Sequence, residues 1–478
     1  MVQSDEVEFD AVRADAARDD RVPRLVVIGG DAAGMSAASQ ARRRLGPEAL
    51  EIVAFERGTA TSYSACGIPY WISGMVGERD DLIARHPQEF RDRQSIDVRL
   101  RHEVVAIDLR ARSVTVRDLD AAEERDEPYD QLLIATGATP ARPDVPGIDA
   151  PGVFGVQTLD DGQRVLDALT DRSPRTAVVV GAGYIGIEMA EAMIERGLSV
   201  HVVEFGPQPM RTVDADMGEQ IAEAMSGMGI RLHLETAVQG IETGADGWVR
   251  AVTTEAGELA CDLVVLGTGA RPAGELGRDA GLQVGSSGGI VTDPRQRTSD
   301  PYVFAAGDCT ETFHRISRRS VAIALGTIAN KQGRVAGINL GGGYATFPGV
   351  LGTAVTKVCG LEIGRTGLGE IEAREAGFEP IVEVVRSTTR AHYYPGAGWV
   401  TVKVIAERGT GRLLGAQIVG AEGGAKRIDV FATALWNQMT VEDLLNVDLS
   451  YAPPFSPVWD PVLIAARKTW QQVETQRC

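Results

Sequence analysis

A single cysteine, Cys66, stands in the run TSYSACGIPYW, and no second cysteine lies near it in the chain. A thiolate is the nucleophile of disulfide exchange, and a cationic neighbour or a helix start lowers the pKa that releases it. Pro69 suits the first turn of a helix, so the spacing predicts Cys66 at a helix N-terminus. Such a cysteine can attack one sulfur of a disulfide, expel a first thiol and retain the second as a mixed disulfide, with no resolving cysteine. The competing expectation is a small buried hydrophobe, the commoner state of a free cysteine.

Two glycine turns carry a second kind of chemistry. In GAGYIGIE, Gly181, Gly183 and Gly186 lie directly between a strand and a helix. Gly181 permits the tight turn, Gly183 lets a pyrophosphate approach the backbone, and Gly186 lets the helix pack closely with its N-terminus toward the phosphates. Glu204 ends the following strand 18 residues beyond Gly186, where an acid bonds an adenosine 2′-hydroxyl. That choice favours NADH over NADPH, because a 2′-phosphate would be repelled. The earlier turn, GGDAAG, keeps Gly29 and Gly34 but has Asp31 at the middle position. A carboxylate there disfavours a pyrophosphate unless the side chain turns outward. Glu56, 22 residues beyond Gly34, supplies the strand-end acid again.

The elements that must position these residues repeat along the chain. RLVVIGGDAAGMSAASQARRRL and LEIVAFE read as strand, turn, helix and strand, and TAVVVGAGYIGIEMAEAMIERGLSVHVVEF repeats the order. Each copy closes on an apolar strand and a turn, YDQLLIATGATP and CDLVVLGTGARP. A polar hairpin-like region covers 102–128, and TSDPYVFAAGDCTE leads into a helix through GTIANKQGRVAGINLGG. From about residue 350 alternating strands such as WVTVKVIAE and LLGAQIVGA mix with helices. The expected fold is α/β, with two tandem three-layer Rossmann-like dinucleotide-binding domains and a C-terminal α+β domain.

Bulk properties narrow the function classes. The 478 residues allow several domains with large cores, and a net charge of −18 disfavours broad contact with nucleic acid or anionic membrane. The first residues are acidic and polar, unlike a signal peptide, and are expected to form a disordered extension of a cytoplasmic protein. The five cysteines are scattered without metal-ligand or disulfide spacing, and the six histidines form no HExxH pair, so no metal site is expected. Cys309 reads as packing, and Cys261 and Cys359, in strand-like apolar surroundings, as inert. Arg42 and Arg44 read as a solvated helix face.

The order ATGATP, GTGARP, FAAGDC resembles that of the two-dinucleotide flavoprotein disulfide reductases over residues 24 to about 470. The resemblance implies an FAD-binding domain at 24–150 and 276–347, an NAD(P)H-binding domain at 151–275, a dimerisation domain at 348–478, and an extension at 1–23. It implies that Gly29, Gly34, Glu56, Thr136, Gly137 and Asp308 hold FAD, and that Gly181, Gly183, Gly186, Glu204 and Gly269 hold the nicotinamide cofactor. SYSACGIPYW is similar to the single-cysteine branch, and its Pro-Tyr to the coenzyme A disulfide and persulfide reductases. HYYPGAG and DLSYAPPFSPVWDPV match segments that place active-site tyrosines across a dimer interface, giving Tyr394 and Tyr451. SQARR gives Gln40 and Arg43 as coenzyme A contacts, and Ser62 matches a serine near the thiol. Gln94 departs from the pattern, since some coenzyme A reductases carry lysine there. The implied activity is NADH-dependent reduction of a small disulfide or persulfide by a homodimer. The rivals are an NADH oxidase or peroxidase cycling through a cysteine sulfenic acid, and a flavin electron-transfer protein with a protein partner.

Overall fold

The computed structural model describes residues 21–475; most of the expected N-terminal extension, and Cys478, lie outside the described residues. A five-stranded parallel sheet forms first, in the order Val303–Ala305, Gln131–Ile134, Arg24–Ile28, Glu51–Glu56, Ile96–Leu100. Its central strands are apolar beyond a polar first residue, Arg24 or Gln131, because both faces are covered. Leu25 and Val27 point into one core, and Val26 and Ile28 into another. The helix Ala32–Arg44 covers one face and packs along Gly326–Leu340. Small residues set that approach: a Cβ on Gly333 or Gly337 would overlap the carbonyls of Ala33 and Ala37.

The second sheet repeats the plan, in the order Arg231–His233, Ser199–Val203, Thr176–Val180, Leu263–Leu266, Val153–Gly155. The α/β fold with tandem dinucleotide-binding units is therefore as the glycine turns foretold. Each unit also carries a three-stranded antiparallel meander. The first spans His102–Asp108, Ser113–Asp118 and Glu123–Pro128. The second, Val238–Thr243, Val249–Thr254 and Gly257–Ala260, was not foreseen, and register shifts after Val238 and Glu242 break its alternation. The two closing turns pair with each other, as Ala138–Pro140 and Ala270–Pro272 form an antiparallel ribbon that ties the units together.

The C-terminal unit is an antiparallel five-stranded sheet with helices Ile428–Trp436 and Pro461–Thr475 packed on it. It docks on the second unit through a buried cation. Lys403, 4% exposed, places Nζ 2.7 Å from Asp216 and 3.1 Å from Asp214. The Asp214 N–H donates to Gln417 at 2.8 Å, and the Thr401 hydroxyl donates to Gln220 at 2.8 Å. Lys403 is buried but Asp216 is partly exposed, and together with these bonds the cation ties the C-terminal sheet to the helix Ala215–Gly227. Among the described residues no helix is long and apolar enough to cross a membrane.

Candidate active site

The two glycine turns share their outer glycines and the bonds of their strand-end acids, and differ at the middle position, Asp31 against Gly183. Gly29 and Gly181 have φ of 105° and 97°, conformations that favour glycine. A Cβ on Gly34 would overlap the Gly29 carbonyl, and one on Gly186 would overlap that of Gly181. Glu56 accepts the Gly30 and Gly58 N–H groups, both at 2.7 Å. Glu204, buried, accepts those of Ala182 at 2.8 Å and Gly206 at 2.7 Å. Each strand-end acid thus braces its own turn. At Gly183 an added Cβ would find its nearest neighbour 3.9 Å away, which leaves the open approach that a pyrophosphate needs.

Between the first turn and the helix Gly326–Leu340 lies Asp308. Its Oδ1 is buried with no hydrogen-bond partner, and burial raises its pKa to about 6. An acceptor left without a donor inside the protein is costly, and the hydroxyls of a bound polyol chain supply such donors. These residues therefore fit FAD. Thr136 is already engaged, donating to the Ala273 carbonyl at 2.7 Å, while Gly137 and Gly269, with φ of 70° and 88°, leave open space at the ribbon that joins the units.

Cys66 lies in a short 3₁₀ turn, Ala65–Gly67, that leads into the helix Ile68–Ser73, with Pro69 in the first turn as expected. That helix is wedged between the units: Ile68, Trp71 and Ile72 share one core with Ile187, Met189 and Met193 of the second unit. Cys66 itself is exposed, so the buried-hydrophobe expectation fails for it. Its pKa, however, is not lowered. Partial desolvation raises it first, then the charge of Glu188, with Asp308 and Asp31 adding to the effect. A helix of six residues offers too little dipole to outweigh this desolvation and the nearby carboxylates.

Glu188 was not singled out from the sequence, although it follows Gly186 by two residues in the quoted motif. It accepts the Thr356 hydroxyl at 2.7 Å, and burial raises its pKa. Beside it, Glu191 accepts the Cys359 N–H at 2.9 Å. Cys359 is not a strand residue but sits in a turn with φ of 52°, whereas Cys309 is fully buried as packing and Cys261 is also buried.

The remaining residues divide. Ser62 has φ of 53° and its N–H donates to the Gly30 carbonyl at 3.0 Å, which brings the cysteine loop onto the first glycine turn. Arg43 is exposed and donates to Gln40 at 3.4 Å, so the two share one face of their helix. Arg42 is not a solvated cation: its guanidinium donates to the carbonyls of Leu45, Leu50 and Ser95. Tyr394 and Tyr451 are exposed, as are Tyr393, Trp399, Phe455 and Trp459 of the same C-terminal unit. The hydroxyl of Tyr451 is hydrogen-bonded to Tyr393, not Tyr394, and that bond raises its pKa. Among the described residues no three His, Cys, Asp or Glu side chains are placed to hold a metal ion.

Residues 23–333 match the family described as pyridine nucleotide-disulphide oxidoreductase, and residues 353–461 match its dimerisation domain. The chain is 40% identical over 444 residues to the CoA-dependent NAD(P)H sulfur oxidoreductase of Pyrococcus abyssi, covering 93% of this chain and 97% of that one. It is 36% identical to a protein named NADH oxidase from Methanocaldococcus jannaschii, over 95% of this chain and all of that one. Among solved structures, an NAD-dependent persulfide reductase from A. fulgidus superposes with a TM-score of 0.91 at 37% identity, over 95% of this chain and 84% of that one.

Proposed function

Since the chain belongs to the pyridine nucleotide-disulphide oxidoreductase family, we propose that it reduces a low-molecular-weight disulfide or persulfide, coenzyme A-related, at the expense of NADH. The observation that carries this reading is Cys66, the one exposed cysteine among the described residues, set beside the first glycine turn with no partner thiol. The substrate itself must then be the second sulfur. Attack by the Cys66 thiolate on coenzyme A disulfide breaks the S–S bond, forms a Cys66–coenzyme A mixed disulfide and expels one coenzyme A thiolate. Two electrons and a proton then cleave the mixed disulfide, releasing the second thiol and restoring the Cys66 thiolate. FAD, when bound, supplies the relay of those electrons from NADH.

The protein's own residues do the rest. Gly29, Gly34, Glu56, Thr136, Gly137 and Asp308 are assigned to FAD, and Gly181, Gly183, Gly186, Glu204 and Gly269 to NADH. Glu204 would repel a 2′-phosphate, while Arg211, which packs beside Gly206, offers one cation in return. The expected preference is therefore modest, about tenfold in kcat/KM for NADH over NADPH, or roughly 1.4 kcal/mol. Gln40, Arg43 and Ser62 are assigned to the coenzyme A moiety. A second copy of the chain would cover the exposed aromatic residues of the C-terminal unit and bring Tyr394 and Tyr451 to its partner's Cys66. There the Tyr451 hydroxyl, paired with Tyr393, would protonate the leaving thiolate.

The relative named NADH oxidase keeps a second reading in view, in which Cys66 cycles through a sulfenic acid and dioxygen or peroxide is the acceptor. Steady-state turnover separates the readings, with NADH or NADPH as donor and coenzyme A disulfide, coenzyme A persulfide or air as acceptor. The expected result is fast NADH oxidation with a coenzyme A acceptor and slow oxidation in air. Fast turnover in air alone overturns the disulfide reading. Full turnover by Cys66→Ser with every small acceptor would point instead to a protein partner.

A further inference from the structure

Asp31 occupies the middle glycine position of the first turn, and the structure shows which way its carboxylate goes. It stands as the N-cap of the helix Ala32–Arg44 but makes no side-chain cap bond to it. Oδ1 instead accepts the Tyr63 N–H at 3.2 Å, across to the cysteine loop. That loop is fixed to the same turn by the Ser62 N–H, which donates to the Gly30 carbonyl at 3.0 Å, and by the Thr61 hydroxyl, which donates to the same carbonyl. The carboxylate therefore leans toward the cysteine loop, while its backbone occupies the turn at the N-terminus of the helix Ala32–Arg44, where a pyrophosphate would dock.

The charges around it are of one sign. Glu56 from the end of its strand and Asp308 from beyond Val303–Ala305 both act on Asp31, against the Tyr63 and Ala32 N–H groups, which favour its ionised form. Tyr63 and Cys66, the other titratable groups facing it, are each disfavoured from ionising by Asp31 itself. Burial, the largest influence, together with these carboxylates raises Asp31 to about 6 before any ligand arrives. A flavin pyrophosphate adds about two further negative charges at the same helix end, which pushes a neighbouring carboxylate further toward its neutral form. Once protonated, the carboxyl gains an O–H donor for a phosphate oxygen, and repulsion becomes a hydrogen bond.

We propose that Asp31 takes up a proton from solvent as FAD docks, so that cofactor retention at the first glycine turn is linked to pH. This rests on the assignment of FAD to that turn. A glycine at the middle position would leave the phosphates without a titrating neighbour. Asp31 makes FAD binding tighter as pH falls toward 6, and it ties that change to the loop that carries Cys66.

The test is the FAD dissociation constant of the full-length holoenzyme, read from the fluorescence of released flavin after dilution at several pH values. Proton uptake on binding makes the constant rise with pH between the free and bound pKa values, by up to about tenfold per unit. We expect a rise of about fivefold to tenfold per unit between pH 6.5 and 8. Asp31→Asn is expected to abolish the slope and bind FAD more tightly at pH 8, whereas Asp308→Asn keeps the slope. A flat wild-type profile, or an unchanged slope in Asp31→Asn, overturns the inference. Calorimetric titration of FAD into wild-type apoprotein in two buffers of different ionisation enthalpy measures the same proton without any variant. Uptake of most of one proton at pH 7.5 supports the inference, and none overturns it. Absence of bound FAD at every pH would instead defeat the cofactor assignment on which the inference stands.

Discussion

Cys66→Ser is expected to lower NADH-dependent reduction of coenzyme A disulfide by at least about a thousandfold, while NADH still bleaches the flavin at close to the wild-type rate. The split follows from where the residue sits. Cys66 is exposed beside the first glycine turn, but none of the hydrogen bonds that shape either turn comes from its side chain. Loss of the thiol therefore removes the covalent step and leaves both dinucleotide sites intact. A serine hydroxyl cannot accept the sulfur, and loss of a nucleophile is among the most damaging single changes to an enzyme. Stopped-flow absorbance at the flavin band and steady-state turnover measure the two halves separately. A Cys66→Ser protein that reduces the disulfide at more than a tenth of the wild-type rate would contradict this role.

Tyr451→Phe is expected to lower kcat for the disulfide by about a hundredfold with KM nearly unchanged, the usual size for loss of a positioned proton donor. The hydroxyl is the only atom removed, and its ring is 46% exposed, so the fold loses almost nothing. Tyr393→Phe, which removes the hydrogen-bond partner, is expected to give a smaller loss in the same direction. On the proposed arrangement, in which the tyrosines act on the partner's cysteine, mixing Cys66→Ser and Tyr451→Phe subunits should restore part of the activity that neither homodimer has. Pre-steady-state thiol release and light scattering of the mixed dimers check both points. An active monomer would contradict the assignment.

Much of this was legible in the sequence because the relevant physics is local. A tight turn needs Gly29 and Gly181, a close helix needs Gly34 and Gly186, and the strand-end acids stand at fixed distances beyond them. The cysteine loop could be read for the same reason, since Pro69 marks the start of its helix. What escaped depends on contacts between distant segments. The pKa of Cys66 is raised first by partial burial, then by Glu188 from the other unit, Asp308 from the returning strand and Asp31 from the turn, and no local pattern brings those together. The pairing of Tyr451 with Tyr393 depends on how two loops meet. Arg42 looked like surface charge, yet it satisfies three carbonyls that only the folded chain brings to it. Cys359 does have strands on both sides, but that it stands in the turn between them with a left-handed backbone depends on where the two strands end.

The central claim is that the substrate supplies the second sulfur to Cys66. Intact-protein and peptide mass measurement after reacting enzyme that has Cys66 as the free thiol and its flavin oxidised with one equivalent of coenzyme A disulfide, without NADH and in the absence of air, tests it most directly. The account predicts one coenzyme A per subunit, bound through a disulfide to the peptide that contains Cys66, and removed when NADH is added. An unmodified Cys66 after the disulfide has been consumed, or an adduct on another cysteine, would contradict it.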